Sequence, residues 1–259
     1  MRPLDACGVV RRAELGPPRA TPWASSRPMV AWRWPERVAL RWTTAALLVA
    51  SAGASLAAGA PDVDALVTYE TRQVTSAGVT RTERWQERLV RRGDSVWSER
   101  VLTASTAVLH KNETAPEHAG HKHFDFDRAA RLVQRDAKGQ LRLRFVDREK
   151  RVAVDVPAAE YGAVGFDGSW DAAAHLVPPS VVARMGAAAV SGWRSEKVKG
   201  WSHRVRWSSA LQLPMRLESQ RDDGNVRRVV TVEVRAPVVA LPWAALGGYT
   251  QKDYDDFMD

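Results

Sequence analysis

Trp201-Ser202-His203-Arg204-Val205-Arg206-Trp207 places bulky side chains at odd positions and small or charged ones between them. Successive side chains of a strand point to opposite faces, so this period of two predicts a strand with one apolar and one wet face. Leu213, Met215 and Leu217 repeat the pattern against Arg216 and Glu218. Asp222-Asp223-Gly224-Asn225 then supplies turn chemistry, and Val226, Val230, Val232 and Val234 continue beyond it. Residues 201–234 therefore read as neighbouring strands joined in sequence, an antiparallel meander.

Upstream, residues 193–197 add a further strand to this group. Two short helices are expected before it, over residues 169–176 and 179–185, the second starting beside the pair Pro178-Pro179. Earlier still, Leu141, Leu143 and Phe145 alternate with Arg142 and Arg144 after the turn Asp136-Ala137-Lys138-Gly139. With residues 129–135 and with Val152, Val154 and Val156 they form another meander. The first meander spans residues 66–74, 79–90 and 95–102, with turns at Ser76-Ala77-Gly78 and Arg92-Gly93-Asp94. Arg81, Glu83, Arg84, Glu87, Arg88, Arg91 and Arg92 decorate it, a pattern expected of a solvated sheet face with cross-strand charge pairs.

About ten strands with few helices predict a mainly β fold, a strongly curved antiparallel sheet. The helical insertion favours a half-open barrel over a closed one, with the helices covering the concave side. The expected organisation is a leader over residues 1–60, one domain over 61–246, and an acidic aromatic tail over 247–259 containing Tyr249, Tyr254 and Phe257. Fraying is the default for such an end beyond about Gly248, and docking of its aromatic residues on the sheet is the alternative.

The net charge of +8 is misleading until it is divided along the chain. Residues 1–60 contribute +5, eight Arg against Asp5, Glu14 and Glu36, and the remainder only +3. A nucleic-acid partner, which needs a basic stripe on the folded domain, is not expected. Within the leader, Arg33, Arg37 and Arg41 precede an apolar run over 43–56, and Ala57-Ala58-Gly59-Ala60 offers small residues for cleavage. This is the three-part pattern of a secretory signal peptide. Its apolar run is shorter than the roughly 20 residues that a membrane helix needs, so no transmembrane span is expected in the mature chain. Met29 is a better start for that signal than Met1, leaving a 28-residue extension before it. Cys7, the only cysteine, lies in the same leader, so disulfides and thiol chemistry are not expected of the mature chain.

The strand bearing Trp207, the link to Leu213-Pro214-Met215-Arg216-Leu217-Glu218, the Gly224 turn and the last strand follow a helical insertion in an exported domain. In this they resemble the periplasmic lipoprotein-carrier superfamily, which includes LolA-type carriers and RseB/MucB-type sensors. The matching piece is residues 205–234; the rest agrees in element order and length. The resemblance implies a half-barrel over helices that holds acyl chains or a lipidated peptide in an apolar cavity, and the expected role is that of a monomeric periplasmic binding protein for a lipid, a lipidated protein or a peptide. Its partners would be a hydrophobic ligand or an envelope protein. Trp201, Val205, Trp207, Met215 and Leu217 are the candidate cavity residues on the closing wall.

His118-Ala119-Gly120-His121-Lys122-His123, with His110 upstream and Asp125 and Asp127 downstream, is the sharpest local feature. His121 and His123 share a direction in extended backbone, and His118 and Asp125 can complete a donor set suited to zinc or copper. A solvated histidine-rich loop is the plainer reading, and titration near neutral pH makes a charge switch a third. A metal-binding protein, or an envelope interaction and regulatory protein, are therefore the alternatives. No nucleophile elbow, phosphate-cradling loop or metalloprotease motif is present, so no catalytic residues are assigned and an enzyme is not expected.

Overall fold

The computed structural model describes residues 59–102 and 124–257. The apolar run over 43–56 expected to act as a signal peptide, Met29 and the histidines at 110, 118, 121 and 123 lie outside the described residues. Among the described residues the fold is mainly β: a single sheet of eleven strands that does not close, with two short helices. In chain order these are β1 (Val63–Val74), β2 (Thr80–Arg92), β3 (Ser95–Arg100), β4 (Ala130–Arg135), β5 (Leu141–Asp147), β6 (Val152–Val156), α1 (Trp170–His175), α2 (Pro179–Arg184), β7 (Trp193–Val198), β8 (Trp201–Ser208), β9 (Leu213–Arg221), β10 (Val226–Val234) and β11 (Thr250–Asp253).

The spatial order is β11-β6-β5-β4-β3-β2-β1-β10-β9-β8-β7. The three meanders are thus welded into one sheet, β3 to β4 and β1 to β10, both antiparallel. The Gly224 turn forms as its residues demand: Gly224 sits at φ +73° and Asp223 Oδ1 accepts from the Asn225 amide at 2.9 Å. Ser169 caps α1 by accepting from the Ala172 amide at 3.1 Å.

Two buried clusters lie on opposite faces of the sheet. Cross-strand register puts Val63, Arg91, Val96, Val133, Leu143 and Val156 in one row. All but Arg91 belong to a cluster that also holds Trp170, Ala174, Val181 and Val182 of the helices. The next residues along each strand, Val90, Trp97 and Leu132, face the other way and pack with Leu246 and Trp243 of the segment after β10. One half of the sheet is therefore covered on both faces.

The tail departs from the expected fraying. Thr250–Asp253 forms an edge strand, and it pairs parallel to β6, the one parallel pair in an otherwise antiparallel sheet. Aromatic packing explains the docking. Phe126 lies 5.6 Å from Tyr254 and 5.2 Å from Phe145, and Phe124 lies 5.4 Å from Phe257, centroid to centroid. Several such ring contacts outweigh the loss of freedom of a few terminal residues.

Arg91 also departs from its expected place among solvated charges, because it is wholly buried. Alternation puts it on the same face as Leu89, and that face lies under the helices.

Candidate functional site

The face that carries the helices changes character from one end of its strands to the other. Val205, Leu217, Val230, Tyr69 and Trp85 form a continuous cross-strand row. Val205 and Leu217 are 0% and 2% exposed and belong to the packed core. Tyr69 and Trp85, directly opposite each other, stack at 5.1 Å with an interplanar angle of 11°. The following rows carry His203 with Arg228, then Trp201. Trp201 stacks on His203 at 6.1 Å, and the Arg228 guanidinium sits 5.2 Å from the Trp201 ring centre. Tyr69, Trp85, Trp201, His203 and Arg228 are all half-buried, and a small hollow of about 10 Å³ opens beside Tyr69, Trp85 and Arg228. That is room for about one water, not for an acyl chain.

Of the residues expected to line a cavity, the structure thus brings Val205 and Leu217 together in the core and sets Trp201 in the aromatic and cationic rows. Trp207 is half-buried against the core. Met215 breaks the expected alternation: a bulge pairs Trp207 with Pro214 and Arg206 with Arg216, so Met215 has no partner across the strand. Proline cannot donate to a ladder, and a bulge is where a strand accommodates one. Tyr69, Trp85 and Arg228 escaped the sequence reading, yet a signal existed for the first two. Folding the first hairpin about Ala77 places residue 69 opposite residue 85.

Burial sets the ionisation of these groups. It pushes the Tyr69 hydroxyl well above its usual range, reinforced by Glu87 nearby. His203 is held below its ordinary value by burial and then by Arg228, so its ring is neutral near pH 7; its Nδ1 lies 2.7 Å from Ser219 Oγ.

At the packed end, Arg91 ties four segments together. Its Nε donates to Pro61 O at 2.8 Å, Nη1 to Ala174 O at 2.5 Å, and Nη2 to Leu211 O at 2.6 Å. His175 Nδ1 lies 2.8 Å from Gln212 O, and a carbonyl only accepts, so Nδ1 carries the hydrogen. Burial brings the guanidinium pKa down to about 10, with Asp62 opposing, so Arg91 stays charged in a cage of carbonyls. Leu176 and Gln212, which flank this cage, both hold positive φ, at 62° and 48°. Non-glycine residues persist there only under external restraint, at a cost of about 1–3 kcal/mol each. The first helix is therefore pinned to the sheet through one buried cation, with strain beside it.

Asp125 is used locally: its Oδ1 accepts from the amides of Asp127 and Arg128, both at 3.1 Å. Among the described residues no group of three or more His, Cys, Asp or Glu is arranged to hold a metal. Among them, too, no helix is long and apolar enough to cross a membrane.

No family model matches the chain. No curated protein matches it either. Solved structures do. PNGF-II is similar over 76% of this chain and 33% of its own, at 12% identity and a TM-score of 0.32, so this chain spans only a third of that protein. A putative outer membrane lipoprotein-sorting protein domain from Vibrio parahaemolyticus is similar over 72% of this chain and 90% of its own, at 9% identity and a TM-score of 0.30. A LolA superfamily protein from Nitrosomonas europaea covers the same shares, 72% and 90%, at 11% identity and a TM-score of 0.21. Likeness at this level transfers neither an activity nor a ligand to this chain.

Proposed function

We propose that this protein is an exported, non-catalytic periplasmic carrier or sensor that binds an apolar ligand between its sheet and its two helices. The ligand class is a lipid, a lipidated protein or a peptide with an apolar end. The observation that carries the reading is Arg91: a buried cation bonded to the backbone carbonyls of three separate segments, under helices of six residues each. Helices this short contribute little stability of their own. Both stay down because of the apolar surface beneath them, and α1 also through its bond to Arg91. Lifting them exposes Val96, Val133, Leu143 and Val156, a contiguous apolar row running from Arg91 and suited to acyl chains. Strain at Leu176 and Gln212 lowers the cost of that opening. Trp201, Val205, Trp207, Met215 and Leu217 form the adjoining wall, and the export signal and the lipoprotein-carrier resemblance of residues 205–234 support the location and ligand class.

The test is Arg91→Met. Three carbonyls lose their donor, which costs about 2–4 kcal/mol of stability. The variant is expected to retain more co-purifying lipid than the wild type, read by native mass spectrometry and lipid extraction, and to bind a fluorescent fatty acid more tightly. A variant and a wild type that both remain ligand-free and indifferent to added fatty acid would sink the proposal.

A further inference from the structure

The opposite face of β8, β9, β10 and β1 carries charges that do not balance. Cross-strand register sets Arg206 directly against Arg216, and Arg227 directly against Arg72. Like charges facing each other across a ladder destabilise a sheet, and here two such pairs lie on one face. Glu218 is the carboxylate between them. It accepts from Arg204 at 2.6 Å and from Arg216 at 2.7 Å, and Arg227 stands 3.4 Å away. Burial by itself would raise its pKa, but the bonds from Arg204 and Arg216 outweigh that and hold it below the usual carboxylate range. Glu70 is taken by Arg84 at 3.3 Å and Glu233 by Arg235 at 2.9 Å. Among the described residues neither Arg72 nor Arg206 has a carboxylate partner, and both are exposed. Arg204, Arg216 and Arg227 keep 51%, 42% and 50% of their side-chain surface despite their bonds to Glu218, so their free N–H groups remain accessible.

The first meander shows that this sequence can balance its strands, since Glu70 faces Arg84 and Arg88 faces Glu99. Arginine rows retained without balance point to an anion supplied from outside. We propose that this face docks on the phosphates of an anionic phospholipid bilayer. Three features favour a membrane over a protein or a nucleic acid. The guanidiniums occupy a grid with strands about 4.8 Å apart, spread over four strands, which suits a surface of many small anions. Thr68, Thr231 and Ser202 complete the two arginine rows with hydroxyl groups, and no aromatic row, the feature that single-stranded nucleic acid would need, runs through them. Trp193 stands at the end of the row containing Arg206, on edge strand β7, with the Arg204 guanidinium 4.6 Å from its ring centre, an amphipathic side chain fit for the headgroup level.

The experiment compares two double variants of the full chain in co-sedimentation with phosphatidylglycerol-containing and wholly zwitterionic vesicles. Both variants keep the apolar residues 43–56, so a difference between them reports the sheet face. Arg72→Glu with Arg206→Glu turns both repulsive pairs into attractive ones and is expected to raise Tm. It is also expected to lower partition onto anionic vesicles about tenfold or more. Lys138→Glu with Arg184→Glu, equal in charge but on the β4–β5 turn and on α2, is expected to stay within about twofold of wild type. If the glutamate pair lowers Tm, Arg72→Gln with Arg206→Gln must show the same direction of loss. Equal partition of the two double variants overturns the proposal. So does wild-type binding that is the same on zwitterionic vesicles, or retention by a soluble polyanion with no binding to anionic vesicles.

Discussion

The β2–β6 half of the sheet and the β7–β10 half solve different burial problems with the same strand geometry. In the first half both faces are covered, by the helices on one side and by Leu246 and Trp243 on the other. In the second half one face reaches the core while the other is open and cationic. The difference is written in the local sequence. Leu132-Val133, Phe145-Val146 and Val152-Ala153-Val154 are continuous apolar runs, whereas Arg204-Val205-Arg206 alternates strictly. Runs without polar interruption belong to strands buried on both sides, and alternation belongs to strands buried on one.

The largest effect that tests this comparison lies on the doubly buried half. Trp97 is fully buried, and Trp97→Ala is expected to cost about 3–5 kcal/mol in urea unfolding. Trp201→Ala, on a half-buried ring of the other half, is expected to cost about 1 kcal/mol. Equal losses would erase the distinction between the halves.

A smaller effect probes the open face. Glu218→Ala leaves the Arg204, Arg216 and Arg227 guanidiniums facing one another, and a loss of about 1–2 kcal/mol is expected. Raising salt should shrink that loss, because it screens exposed charges. A salt-independent loss would mean that Glu218 acts by packing.

The smallest effect is a pH dependence from the helix anchor. Burial holds His175 below its ordinary value of 6.5, with the bond to Gln212 opposing. A histidine whose pKa falls on folding contributes stability that is complete above the unfolded value and is lost as pH drops below 6.5 towards the folded one. Glu218 and Asp155 are also lowered, but they titrate from ordinary values of 4.5 and 3.8, outside this window. The urea midpoint is therefore expected to fall between pH 7.5 and 5.5, and to fall less in His175→Gln. His203, lowered as well, supplies the remaining slope.

The identities of β1 to β10, their order along the chain and the two helices were legible, because each rests on periodicity and turn chemistry within about ten residues, whereas β11 was not. The candidate site was legible only in part. Val205 and Leu217 were found through alternation, while Arg91 was assigned to solvent because neighbouring charges hid its parity with Leu89. Trp201 was placed on the correct strand, but its contact with Arg228 depends on the register between β8, β9 and β10.

The sequence by itself determined that this is a mainly β fold of meandering strands, since periodicity and turn chemistry are local signals. Only the tertiary structure decided which residues meet. It placed a bulge at Met215, seated the tail beside β6, closed a carbonyl cage around Arg91 and set two pairs of arginines face to face. Residues more than a hundred positions apart, such as Arg72 and Arg227, acquire a relationship only through strand register, and register is set by the sheet as a whole.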